Sequence, residues 1–127
     1  MTRYFTLEDA NAALVEIRPL VAYLLELRQA ILDHQPELEP VLQKVAGNGG
    51  GVVATQVVRD FERLQEVLRR IEEIGAEIKD VNTGLLDFRS MRDGREIYLC
   101  WRHGEYDIRY WHEIDAGFAG RQPLQDI

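Results

Sequence analysis

Cysteine is almost missing from this chain: Cys100 is the single one in 127 residues. One thiol excludes an intrachain disulfide framework and gives no reason to expect secretion. Histidine is scarce too, with three residues, and no His-Glu-x-x-His motif occurs. No apolar run approaches the roughly 20 residues that span a bilayer, and Met1-Thr2-Arg3-Tyr4-Phe5 does not read as a signal peptide. No membrane partner is expected, and the cytoplasm is the expected compartment.

Positive charge is also in deficit. Fifteen basic residues stand against 22 acidic ones, a net charge of −7. Residues 1–83 carry 9 basic and 14 acidic groups, and residues 84–127 carry 6 and 8, so neither part is basic. Such a chain repels phosphate backbones, and no nucleic-acid partner is expected. What is present is ordinary for a globular domain: 46% hydrophobic and 29% charged residues. That length suits one domain, 1–127, burying roughly two thirds of its unfolded surface.

Apolar residues recur at helical spacing from Leu7 through Ala10, Leu14, Ile17, Val21, Leu24 and Ile31. Thr6 is placed to cap this helix, with Glu8 and Asp9 facing its positive end. Pro19 either kinks the helix or restarts it, and Asp33-His34-Gln35-Pro36 ends it. A short helical segment over Pro36–Val45 leads to Gly47-Asn48-Gly49-Gly50-Gly51. No strand precedes these glycines and no Lys-Ser/Thr pair follows them, so a flexible linker is expected rather than a phosphate loop. A second stripe, Val57, Phe61, Leu64, Leu68, Ile71 and Ile78, marks a helix from about Ala54 to Ile74, capped by Gly75. The two helices are expected to pack antiparallel, the pair spanning about 6–79.

Beyond Gly84 the period changes to two. Leu85–Phe88 and Glu96–Trp101 flank Asp93-Gly94, a favoured hairpin turn, and a second turn near Gly104-Glu105 leads into Asp107–Glu113. The expected fold is α+β: two long antiparallel helices followed by a small three-stranded antiparallel β-meander, with an ordered tail, over about 84–127. The first turn sets Asp87 opposite Cys100, Leu86 opposite Trp101 and Phe88 opposite Leu99. The second sets Trp101 opposite Ile108, Leu99 opposite Tyr110 and Ile97 opposite His112. In that register His112 faces the helices, together with Trp101 and Tyr110, while Tyr98, Trp111 and Glu113 face away.

Three stretches of this region carry a resemblance. They are Tyr98-Leu99-Cys100-Trp101-Arg102-His103-Gly104-Glu105, then Tyr110-Trp111-His112-Glu113, then Asp115-Ala116-Gly117-Phe118-Ala119-Gly120-Arg121-Gln122-Pro123-Leu124. Together with Phe5–Asn11 and Gly84–Phe88, they closely resemble the landmarks of an uncharacterised bacterial family classified only as a domain of unknown function. The resemblance covers nearly the whole chain. It implies a shared fold and brings no activity or catalytic residue with it.

Four constellations carry chemistry. The first is His112 with Glu113, Asp115 or a carboxylate of the second helix (Glu66, Glu73 or Glu77), a donor set suited to a divalent transition metal. A hydrogen-bonded histidine at the core edge is the simpler account. The second is Cys100, opposite Asp87 and beside Arg109. Arginine favours a thiolate and aspartate opposes one, so an inert thiol is expected. The third is Arg121 among the glycines of Asp115–Pro123, either gripping an anion or pairing with an acid such as Asp87 or Glu113. The fourth is Trp111 with Tyr98, a surface for a small-molecule ligand or self-association if left uncovered. An interaction or scaffolding domain that self-associates is the leading expectation, then metal binding at His112, then an enzyme acting on a small molecule.

Overall fold

The structure is a computed structural model that describes residues 3–34, Pro40, Leu42 and 55–124. Helix α1 runs over Leu7–His34 and buries Ala10, Leu14, Ile17, Val21, Leu24, Leu27 and Ile31 along one face. It starts where Thr6 and Asp9 bond reciprocally: Asp9 N–H donates to Thr6 Oγ1 at 3.0 Å, and Thr6 N–H to Asp9 Oδ2 at 3.3 Å. This satisfies two donors that a helix start leaves free. Pro19 lies inside the helix without splitting it. It is exposed, so water can take the carbonyl that its missing N–H leaves unbonded.

Helix α2, Thr55–Ile74, buries Val57, Phe61, Leu64, Val67, Leu68 and Ile71. Gly75 then stops it at φ 119°, with its own N–H on the Glu72 carbonyl and that of Ala76 on Ile71. A side chain would be strained at that φ. The helices run antiparallel, as Arg3 donates to the Ile74 carbonyl and Arg70 pairs with Glu16. The glycine linker lies outside the described residues. Of the expected segment over Pro36–Val45, Pro40 and Leu42 are described; both are helical, and Leu42 is buried in the core.

The sheet has five strands, not three: β1 (Glu77–Asp80), β2 (Leu85–Arg92), β3 (Arg95–Arg102), β4 (Tyr110–Glu113) and β5 (Gln122–Pro123). They lie in chain order, each antiparallel to the next. Ile78, expected to extend the second helical stripe, instead pairs with Leu86 in β1. The β2–β3 hairpin has the expected register, with Leu86 opposite Trp101, Asp87 opposite Cys100 and Phe88 opposite Leu99. Asp93 and Gly94 both take positive φ, 51° and 81°, as a tight two-residue hairpin requires.

The β3–β4 register differs by one residue from that expected. Tyr98 pairs with His112, Leu99 with Trp111 and Cys100 with Tyr110. Because side chains alternate, this single step moves every β4 residue to the opposite face. Trp111 joins Leu86, Phe88, Ile97, Leu99 and Trp101 in the core with the helices. Tyr110 leaves that core and His112 turns away from the helices. Among the described residues no helix is long and apolar enough to cross a membrane.

Candidate functional site

The outer face of the sheet is polar where it is most buried. Asp87 on β2, Cys100 on β3 and His112 on β4 are each at most 2% exposed. A ring nitrogen of His112, Cys100 Sγ and a carboxylate oxygen of Asp87 all lie within 4.8 Å of one another. His112 Nδ1 is 2.7 Å from the carbonyl oxygen of Glu113. A carbonyl only accepts, so Nδ1 carries the proton and its bond fixes the ring. Nε2 then points at Asp87, 3.1 Å from both carboxylate oxygens.

The electrostatics are those of two acids and one base with little water. Burial pushes the Asp87 carboxyl above its ordinary range, and the adjoining His112 and Cys100 pull it back in part. The Cys100 thiol is pushed up to about 12, first by burial and then by the negative charge of Asp87, with Arg121 opposing. Both causes disfavour the thiolate, the nucleophilic form.

A cavity of about 280 Å³ opens above Asp87 and His112. Tyr98 stands beside them, its ring centroid 5.4 Å from that of His112. Lys79, Asp115 and Phe118 line the cavity at its solvent side. Lys79 Nζ rests 4.4 Å over the Tyr98 ring and 3.1 Å from Glu77.

The residues singled out from sequence separate accordingly. His112 is central but on the outer face, and its carboxylate partner is Asp87. Glu113 contributes only a backbone carbonyl to the histidine, because Arg95 holds its carboxylate at 2.7 and 3.1 Å. Asp115 borders the same cavity. Glu73 does not: it is exposed and borders a different cavity beside Arg3 at the end of α2. Trp111 is 6% exposed and Tyr98 4%, so neither offers an open aromatic surface. The face change explains Trp111, and an Arg92 guanidinium covers its ring at 4.7 Å.

Arg121 pairs with Glu105 at 2.7 Å rather than with Asp87 or Glu113. It also donates to the Cys100 carbonyl and stacks on Tyr110 and Phe118, at 4.1 and 4.7 Å from the ring centroids. Residues 118–124 lie against the sheet: a 3₁₀ turn over Phe118–Gly120 leads into β5, and Leu124 N–H bonds the Arg109 carbonyl. Sequence reasoning missed Lys79, which lies on a strand whose residues fitted a helical stripe.

A family model described as "Uncharacterized conserved protein (DUF2203)" matches residues 3–124. The chain belongs to this family. The match takes in α1, α2, the five described strands and the three clustered residues. Comparisons with curated proteins and with solved structures give no match. Membership in DUF2203 therefore brings no activity with it, and chemistry has to be argued from the site.

Proposed function

We propose that this protein binds a divalent transition metal through His112 Nε2, Cys100 Sγ and a carboxylate oxygen of Asp87. The observation that carries this reading is the convergence of three different donor atoms within 4.8 Å, all on buried side chains. A tetrahedral ion with bonds of about 2.0–2.3 Å sets its ligand atoms about 3.3–3.8 Å apart. The observed spacing is close enough for small side-chain rotations to reach it.

Two further features support it. The Nδ1 bond to a backbone carbonyl is the usual way a protein orients a metal-binding imidazole through Nε2. Charge is the other. A thiolate, a carboxylate and a neutral imidazole balance a divalent ion, whereas without it the buried thiol stays protonated. Mixed nitrogen, sulfur and oxygen donors favour zinc, cobalt or iron(II) over magnesium and calcium, which require oxygen ligands.

The test is elemental analysis of untagged protein, followed by Co²⁺ titration after chelator treatment. One equivalent of cobalt should bind with a thiolate charge-transfer band that Cys100→Ser abolishes and His112→Ala weakens. Absence of both co-purified metal and a cobalt band would sink the reading.

A further inference from the structure

We infer that the cavity over Asp87 and His112 takes a small organic carboxylate, its charged end toward the floor and its apolar body against Phe118 and Ile114. The inference rests on the metal reading above and names the class of ligand the site accepts. Three protein donors leave a coordination position open to an outside ligand. Two of the three, Asp87 and His112, also line the cavity.

Size comes first. A cavity of about 280 Å³ is small for a drug-sized molecule and holds on the order of a dozen non-hydrogen atoms. Nucleotides and polymers are too large to enter whole.

Charge comes next. With a thiolate and a carboxylate on a divalent ion the floor is neutral, so an anion is not repelled there. Lys79 supplies a cation and Asp115 an opposite charge at the same mouth, so selection rests on the ammonium's remaining donor and not on net charge. The Lys79 ammonium has three donors, and Glu77 Oε1 at 3.1 Å and the Tyr98 hydroxyl at 3.5 Å take two of them. Burial works against its charge, but these two groups together outweigh burial and raise its pKa, so it stays charged at neutral pH. An organic ammonium has no lone pair to accept from the remaining donor. A phosphate would want several donors, and among the described residues the cavity lining includes no arginine.

The walls give the rest of the ligand. Leu85, Ile114 and Phe118 line the cavity, and Ile114 and Phe118 are each 40% exposed, among the few large apolar side chains left open to water. They lie on the mouth of one cavity, where an apolar body would cover them.

The experiment uses the full chain loaded with Co²⁺ and titrated with benzoate, benzamide and acetate, read by calorimetry and by the cobalt visible spectrum. Benzoate should bind at least tenfold more tightly than either comparison compound and should shift the cobalt bands. Lys79→Met should weaken benzoate about tenfold and cobalt far less, since Lys79 reaches the metal ligand Asp87 only through its charge, and Phe118→Ala should weaken benzoate but not acetate. Benzamide binding as tightly as benzoate, or indifference to Lys79→Met, overturns the inference. So does benzoate binding that leaves the cobalt spectrum untouched. Failure of cobalt to bind at all would overturn the metal reading and this one together.

Discussion

His112 on β4 meets Asp87 on β2 across an intervening strand, with Nε2 3.1 Å from each carboxylate oxygen. The Glu113 carbonyl already holds His112 Nδ1 and Cys100 also faces Asp87, but with each 2% exposed little solvent can replace the contact between Nε2 and the carboxylate. Removing one member therefore strands the other. In chelator-treated protein, His112→Ala should cost about 3–5 kcal/mol, the usual penalty for an orphaned buried charge. His34→Ala and His103→Ala remove exposed rings and should cost under about 0.5 kcal/mol. The sign with pH follows from Asp87, whose carboxyl is raised by burial. A raised acid favours the folded state while protonated, and that contribution fades as pH climbs through its folded value. The His112→Ala penalty should thus be largest at neutral pH and shrink in acid, and Asp87→Asn in the same chain should recover part of it. Urea titrations across pH check this, and equal losses at all three histidines would refute it.

Cys100 gives a prediction on the alkaline side. Its thiol moves from an ordinary 9.0 to about 12, chiefly through burial. Between those values the unfolded chain loses a proton that the folded chain keeps. Stability of metal-free protein should fall there by about 1.4 kcal/mol per pH unit more than in Cys100→Ala. Metal inverts the effect: an ion must displace that proton, so apparent affinity should rise up to tenfold per pH unit below 12. Parallel pH curves for the native and alanine proteins would show that the thiol is not held in this environment.

The first hairpin was legible because Asp93-Gly94 admits one short loop and hence one register, which placed Asp87 opposite Cys100. The second was not. Its turn closes locally, Glu105 N–H on the Arg102 carbonyl, but the chain then runs on to α1 before β4 begins. Ile108 N–H bonds Asn11 Oδ1 at 2.8 Å, and Arg18 bonds the Tyr106 carbonyl. Those partners are far away in sequence, and they decide the register by one residue. The sequence therefore points to His112 but places its partner on the wrong side of the sheet. Strand β1 was hidden for another reason: Ile78 falls on helical spacing from Ile71 although Gly75 has already ended the helix.

Two glycines separate steric crowding from backbone strain. Gly84 has φ 70° and Gly94 has φ 81°, so a side chain is similarly disfavoured by φ at both. A Cβ at Gly84 would lie 2.8 Å from His103 Cβ and 2.9 Å from Val21 Cγ1, whereas one at Gly94 meets nothing within 4 Å. Gly84→Ala should therefore cost about 1–3 kcal/mol more than Gly94→Ala, the usual range for overpacking. Thermal and denaturant melts of the two variants measure the difference. Equal costs would mean that α1 can move off the sheet turn freely.

Arg121 and Glu105 fasten the tail to the outer face. Their 2.7 Å pair is largely shielded, with side chains 11% and 23% exposed, and the guanidinium lies against two aromatic rings. Partly buried pairs of this kind couple more strongly than surface ones, so a double-mutant cycle with Arg121→Ala and Glu105→Ala should give about 1–3 kcal/mol. Arg121→Lys should recover little, because lysine keeps the charge but loses the planar stack on Tyr110 and the second donor that reaches the Cys100 carbonyl. The same variants should speed hydrogen exchange at the Leu124 amide, which bonds the Arg109 carbonyl at 2.9 Å. That readout follows the tail itself and not global stability. A coupling below about 0.5 kcal/mol with unchanged exchange at Leu124 would leave the β4–β5 pairing to hold the tail alone.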